Sequence, residues 1–458
     1  MSNSHPVIAA ISTPLAPAGL GVIRLSGDGA VAVAEKVFRP AGKARRLSEL
    51  PGYSALYGRV YDGQGEIDEC VALVFRAPHS YTGEEVVELS CHGGLYLLRR
   101  VLRAVLDAGA RPAEAGEFTR RAFLNGKMDL TRAEAVIDLI AANGRLAAKA
   151  AISAREGAVY RRLEEVKNAL LGMAANLSAF VDYPDDDIPA LTPEALGPQL
   201  TAARDAVQAL LDTYDAGRVL REGVDTVIVG SPNVGKSTLM NRLAGCERSI
   251  VTASAGTTRD IVEETVRLGD VVLRLADTAG LRDTADEAEE IGVRRARSRM
   301  GTAALVMAVF DGSRPLGGGD RRLAQDAARQ NAVAVINKAD QGLRIEQEEL
   351  RALFPRVVVV SARDGQGMDG LAQAVQDAVG LAGIDGTEPL LANERQRRCA
   401  AECLDGLERA LDALAAGMTL DAVGVGIDEA ISAILALTGE RTTQAVVDEV
   451  FARFCVGK

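Results

Sequence analysis

A glycine-rich stretch, Gly230-Ser231-Pro232-Asn233-Val234-Gly235-Lys236-Ser237, stands directly after an apolar run at 224–229. Gly, four residues, Gly, Lys and a hydroxyl residue is the spacing of a phosphate-binding loop. The glycines let the backbone wrap closely with its N–H groups turned inward. The Lys236 ammonium reaches β and γ oxygens, and the Ser237 hydroxyl ligates Mg²⁺. The helix-like run beginning at Thr238 supplies the strand–loop–helix context that the chemistry needs.

Phosphates do not choose a base, but Asn337-Lys338-Ala339-Asp340 can. A carboxylate accepts two hydrogen bonds from the N1–H and amino group of guanine, whereas adenine offers no such donor pair and leaves the charge unpaired. Asp340 therefore predicts GTP over ATP. Ser361-Ala362-Arg363, after the next β-type run, completes the base side. Asp277-Thr278-Ala279-Gly280 ends another run, where the carboxylate can hold the Mg²⁺ water shell and Gly280 can donate an N–H to a γ-phosphate. Gly256-Thr257-Thr258-Arg259-Asp260 stands where a first switch belongs, with Thr258 the second expected Mg²⁺ ligand. Leu281 follows Gly280 where a Ras-type enzyme has a water-orienting Gln, so another group must position the water.

These loops need a sheet to present them. VDTVIVG, VVLRLAD, ALVMAVFD, AVAVINKAD and VVVVSA alternate with helical runs across 224–381, which predicts a mostly parallel sheet with helices on both faces and ligands at the strands' carboxyl ends. Before it, residues 1–124 read as α+β, with β-type runs at 71–75 and 85–89 and a helix near 94–108. Ala- and Leu-rich helical periodicity fills 127–180, breaks near Asp182-Tyr183-Pro184, returns at 194–220 and resumes from 393. The expected architecture is a helical domain in two sequence-separated parts with the α/β domain inserted between them.

At 458 residues the chain has room for about three domains. Apolar residues at 48% and charged residues at 25% describe a globular protein. Six cysteines without a CxxC pair argue against a zinc or disulfide framework. The apolar start lacks a basic leader and is broken by Pro6, Pro14 and Pro17, so it reads as a first strand and loop. No apolar run is long enough to span a membrane. With 52 Lys and Arg against 63 Asp and Glu, the net charge of −11 opposes indiscriminate polyanion binding. A nucleic-acid partner would need a local patch, for which Arg120-Arg121, Arg161-Arg162 and Arg395/Arg397/Arg398 are the candidates.

Beyond the nucleotide motifs, GEFTRRAFLNGKMDLTRAEAVIDLI (116–140), DYPDDDI (182–188), DTAGLRDTADEAEEIG (277–292) and the terminal FCVGK (454–458) are not features of generic GTPases. With them the sequence resembles, over essentially the whole chain, the bacterial tRNA-modification GTPase family called MnmE or TrmE. The resemblance implies an N-terminal α+β folate-binding and dimerisation domain (1–124), a discontinuous helical domain (125–220 and 382–458) and an inserted Ras-like P-loop GTPase domain (221–381). It also implies a cytoplasmic homodimer that joins an FAD-dependent partner, MnmG (GidA), in a heterotetramer-type complex. That complex adds an aminomethyl-type (carboxymethylaminomethyl) group to carbon 5 of the wobble uridine of certain tRNAs. The one-carbon donor is a tetrahydrofolate derivative in the 5-formyl or methylene form.

Residue by residue, the resemblance places folate contacts at Arg24, Glu88, Lys127 and Lys458, each of which the sequence alone would allow as an ordinary surface charge. Asn233, with Thr252, Ser254 and Thr257 of the loop Thr252-Ala253-Ser254-Ala255-Gly256-Thr257, resembles the family's K⁺ site. A K⁺ ion there could supply the charge that an arginine finger supplies elsewhere. Glu289 matches the family's catalytic carboxylate, although Asp286, Glu287, Glu289 and Glu290 together also suit a helix start. Cys455 becomes functionally important, whether as nucleophile, general acid or structural thiol. Two other readings compete: a ribosome-assembly-type switch that modifies no base, and a GTP-regulated folate enzyme without tRNA. FCVGK and the N-terminal motifs argue against the first.

Overall fold

The computed structural model describes residues 5–42, 45–182, 193–245, 264–275 and 300–457. Its contacts group into two units, Met1–Ile137 with Leu435–Lys458, and Asp138–Ile434.

In the first unit, β1 (Ile8–Ile11), β2 (Ala18–Ser26), β3 (Phe38–Pro40), β4 (Ser54–Asp62), β5 (Gly65–Phe75), β6 (Val86–Gly93) and β7 (Arg111–Pro112) form a sheet in the order β3-β4-β5-β6-β2-β1-β7. Side chains alternate between its faces, as the strand period of two requires. Ile23, Leu25, Val87 and Leu89 face a core closed by the helices Ala30–Val37 and Leu95–Asp107. Tyr57 and Val71 are exposed. The carboxyl-terminal residues belong here: Val447, Val450, Phe451 and Phe454 pack against Leu130, Ala133 and Val136.

The second unit holds a sheet of β8 (Val224–Gly230), β9 (Glu264–Leu268), β10 (Val271–Leu275), β11 (Leu305–Asp311), β12 (Ala332–Asn337) and β13 (Val357–Val359), in the order β13-β12-β11-β8-β10-β9. All neighbours are parallel except β9, which pairs antiparallel with β10. The central β11 and β12 are buried at every position because both faces are covered. The expected strands thus form, and β9 is added. Its hairpin turns at Gly269, whose φ of +61° suits a residue without Cβ.

The helical segments are more divided than the periodicity implied. Residues 127–180 resolve into Leu130–Ala141, Arg145–Arg155 and Ala158–Asp182, and 194–220 into Pro193–Leu211 and Tyr214–Glu222. Thr213 makes the second break, because its hydroxyl donates to Leu210 O at 2.6 Å and accepts from Leu391 N at 3.1 Å. Such local hydroxyl bonding competes with the helical ladder. The long helices Glu394–Ala415 and Leu420–Thr438 follow the sheet.

Candidate nucleotide-binding site

The phosphate loop joins β8 to the helix Lys236–Gly245. Asn233 and Gly235 both take positive φ, +61° and +93°. A Cβ at Gly235 would lie 2.4 Å from Asn337 Nδ2, so the second glycine is demanded by both conformation and space. Lys236 is buried, and its ammonium donates to Gly230 O at 3.0 Å and Ser231 O at 2.9 Å. It is held inside the loop, where phosphate oxygens of a nucleotide would compete for the same donor. Val234 is fully buried in the sheet core, while Ser237 and Thr238 lie in the first turn of the helix, whose N-terminus favours anions.

Asn337, Lys338, Ala339 and Asp340 follow β12 directly. The Asn337 amide donates to Val234 O at 3.0 Å and its carbonyl accepts from Ala362 N at 3.0 Å, so one buried side chain ties the phosphate loop to the Ser361-Ala362-Arg363 loop. Ser361 Oγ donates to Asp340 Oδ1 at 2.9 Å, which fixes the carboxylate expected to read the base. Lys338 takes a left-handed φ of +65° and its ammonium reaches Asp311 Oδ2 at 2.8 Å. Burial pushes the Asp311 carboxyl up, but Lys338 and the hydroxyl and amide of Ser313 outweigh it and hold it below the usual range.

Several residues of this site escaped the sequence reading. Asp311 supports Lys338, and Asp320 accepts from Ser231 Oγ at 2.6 Å. Arg242 donates to Ala362 O at 3.0 Å and to Arg363 O. Asp311 had a readable signal, an acidic residue at the carboxyl end of a strand. Asp320 and Arg242 had none, since their partners are far away in sequence. Thr252, Ala253, Ser254, Ala255, Gly256, Thr257, Thr258, Asp277, Thr278, Ala279, Gly280, Leu281 and Glu289 lie outside the described residues.

In the first unit, Arg24 and Glu88 are paired. They face each other across β2 and β6, with Arg24 Nε donating to Glu88 Oε1 at 2.8 Å, and the guanidinium carbon lies 5.6 Å from the centres of the Tyr81 and Phe118 rings. Lys127 donates to Pro78 O at 3.0 Å, on the loop that carries Tyr81. The tail docks on the segments that follow β1 and β7. Gly457 O accepts from Ser12 Oγ at 3.1 Å, Val456 bridges to Ala115, and Gly116 N donates to Cys455 O at 3.4 Å. Cys455 itself is exposed, and Lys458 lies outside the described residues.

The arginine patches fare differently. Arg121 is buried and donates to Glu84 at 3.0 Å and Glu117 at 3.0 Å, so it is a core ion pair and offers no surface to a nucleic acid. Arg120 pairs with Asp448, Arg162 with Glu165, Arg397 with Glu394 and Arg398 with Glu402. Each patch thus has at least one arginine paired with a carboxylate, while Arg161 donates to Glu156 O. Among the described residues, no helix is long and apolar enough to cross a membrane.

A phosphate loop and an Asn-Lys-x-Asp segment, set at the carboxyl ends of a mostly parallel sheet, are the features of a P-loop GTPase. The rest of the chain narrows the class. The family model for the GTP-binding protein TrmE N-terminus matches residues 7–127, and that for the MnmE helical domain matches residues 130–455. The chain is 43% identical over 458 residues to the tRNA modification GTPase MnmE of Symbiobacterium thermophilum, covering 98% of this chain and 99% of the relative. It is 40% identical over 458 residues to that of Geobacillus kaustophilus and 42% over 455 residues to that of Geobacter sulfurreducens, with the same coverage of 98% and 99%. The chain belongs to the MnmE family of tRNA modification GTPases, and as such it is a GTP hydrolase.

Proposed function

We propose that the protein couples GTP hydrolysis to modification of carbon 5 of the wobble uridine in certain tRNAs. It acts in the cytoplasm as a homodimer with an FAD-dependent MnmG-type partner and takes its one-carbon unit from a 5-formyl or methylene tetrahydrofolate. The observation that carries this reading is that Arg24 and Glu88 pair across β2 and β6 while the FCVGK tail docks on Ser12, just after β1, the other neighbour of β2. A paired Arg and Glu beside the half-buried Tyr81 ring suits a flat heterocycle with a glutamate tail: Tyr81 offers a stacking face, the carboxylate accepts from ring N–H groups and the guanidinium binds a carboxylate, while the buried Phe118 ring backs the guanidinium from the core. The exposed Tyr57 and Val71 on the same sheet support dimerisation.

At the nucleotide, phosphate-loop amides and Lys236 bind and orient the phosphates, and Asp340 selects guanine. The Ser237 and Thr258 hydroxyls are oxygen donors suited to Mg²⁺, with Asp277 holding its water shell. Asn233, Thr252, Ser254 and Thr257 provide neutral oxygens suited to K⁺. These cations would supply positive charge at the phosphates. Glu289 is assigned to orient the water, because Leu281 cannot. Mass spectrometry of wobble uridines from a deletion strain, with and without the native chain restored, tests the whole reading. The modified uridine should vanish and return. A nucleoside profile unchanged by the deletion refutes it.

A further inference from the structure

We infer that Arg242 is a positioning residue that locks the base loop to the phosphate loop and so sets how long a guanine nucleotide stays bound. The inference rests on the guanine-nucleotide reading of this site and goes beyond it by assigning a residue outside the nucleotide motifs.

Ala362 is held from both sides. Its N–H donates to Asn337 Oδ1 at 3.0 Å, and Asn337 in turn donates to Val234 O of the phosphate loop. Its carbonyl accepts from Arg242 Nε at 3.0 Å, while the other arm of the guanidinium reaches Arg363 O. Arg242 stands in the helix that begins at Lys236. The contacts therefore close a ring: phosphate loop, Asn337, Ala362, Arg242, helix and phosphate loop again. The base loop is itself a tight turn, with Gly365 N donating to Ser361 O at 2.8 Å and Ser361 N to Gln366 O at 3.0 Å. A Cβ at Gly365 would lie 3.5 Å from the guanidinium carbon, so the turn sits against the arginine.

Guanidinium-to-carbonyl bonds are charge-assisted, and a planar fork meets two carbonyls with little loss of freedom per bond. With the ring closed, Ser361 keeps Asp340 in place while the phosphates are gripped, and base and phosphates are released together. With Arg242 removed, the loop keeps its tie through Asn337 and the phosphate loop and the packing of Ala362 in the core, but loses the charge-assisted bonds to this helix. The base end can then open first.

Stopped-flow release of a fluorescent GDP from the full chain tests this, together with competition between GDP and inosine diphosphate, which lacks the amino group paired to Asp340. Arg242→Ala should release GDP about tenfold faster, equivalent to about 1.4 kcal/mol. It should also narrow the preference for GDP over inosine diphosphate. Arg242→Lys, a single donor point without the fork, should fall between native and Ala, and it is the variant to measure if Arg242→Ala does not fold. GDP release within about twofold of the native rate, or equal weakening of both nucleotides, overturns the inference. Native protein that fails to prefer GDP over inosine diphosphate would instead overturn the guanine reading itself.

Discussion

The nucleotide site and the Arg24–Glu88 region solve the same problem by different means. The first is assembled from short contiguous segments, each at the carboxyl end of a strand, where the geometry of a parallel sheet gathers loops by construction. The second draws on Arg24 in β2, Glu88 in β6, Lys127 after the helix Glu117–Leu124, and a tail whose Gly457 meets Ser12 from 445 positions away. A site of the first kind tolerates change elsewhere in the chain. A site of the second kind depends on every element that brings its parts together.

The sharpest test separates the two. Cys455→Ser should abolish wobble-uridine modification while leaving GTP hydrolysis near the native rate, since the described tail residues bond to Ser12, Ala115 and Gly116 of the first unit. Loss of hydrolysis as well would break the comparison, and normal modification would reduce the thiol to a structural feature. Next in size, Asp340→Asn should shift preference from GTP towards xanthosine triphosphate by about a hundredfold or more, because an amide NH₂ pairs with the carbonyl that replaces guanine's amino group. Competition binding reads it directly, and an unchanged preference removes the base-reading role.

A smaller effect is expected at Glu289. Glu289→Ala should bind GTP nearly normally yet hydrolyse it at least about tenfold more slowly, and Glu287→Ala should do little. Matching single-turnover rates would make both residues mere parts of an acidic helix start. The smallest effect concerns the scaffold under Arg24. Burial pushes the Glu117 carboxyl up, but Arg111, the Glu114 amide and Arg121 together bring it below its usual 4.5. A carboxylate with a depressed folded value lends stability that is present above 4.5 and lost as pH falls through the lowered value. Acid unfolding of the native chain should therefore steepen below about 4.5, and Glu117→Gln should flatten that limb. An identical acid profile in the variant would show that the pair contributes nothing to pH dependence.

Much of the nucleotide site was legible beforehand, because a phosphate loop, an Asn-Lys-x-Asp segment and alternating strand and helix patterns are local features whose meaning depends on neighbours a few positions away. The strands at 224–230, 305–311 and 332–337 are short, mainly apolar, β-branched-rich runs bounded by turn residues, and they form as buried strands. The short antiparallel β9 was not in that pattern: Val266 and Leu268 do alternate with Thr265 and Arg267, but five residues are too short a run to stand out in the sequence.

What the sequence determined by itself was the chemistry of each loop and the class of sheet that presents it. The tertiary structure alone decided that Arg24 faces Glu88, that Arg121 is a buried ion pair rather than a surface for nucleic acid, that Arg242 grips the base loop, and that the last residues return to the first strand. The physical reason is range. Backbone conformation and helix or strand period are set within a few residues, whereas the partner of a charge and the burial of a side chain are set by whichever distant segment packs against it.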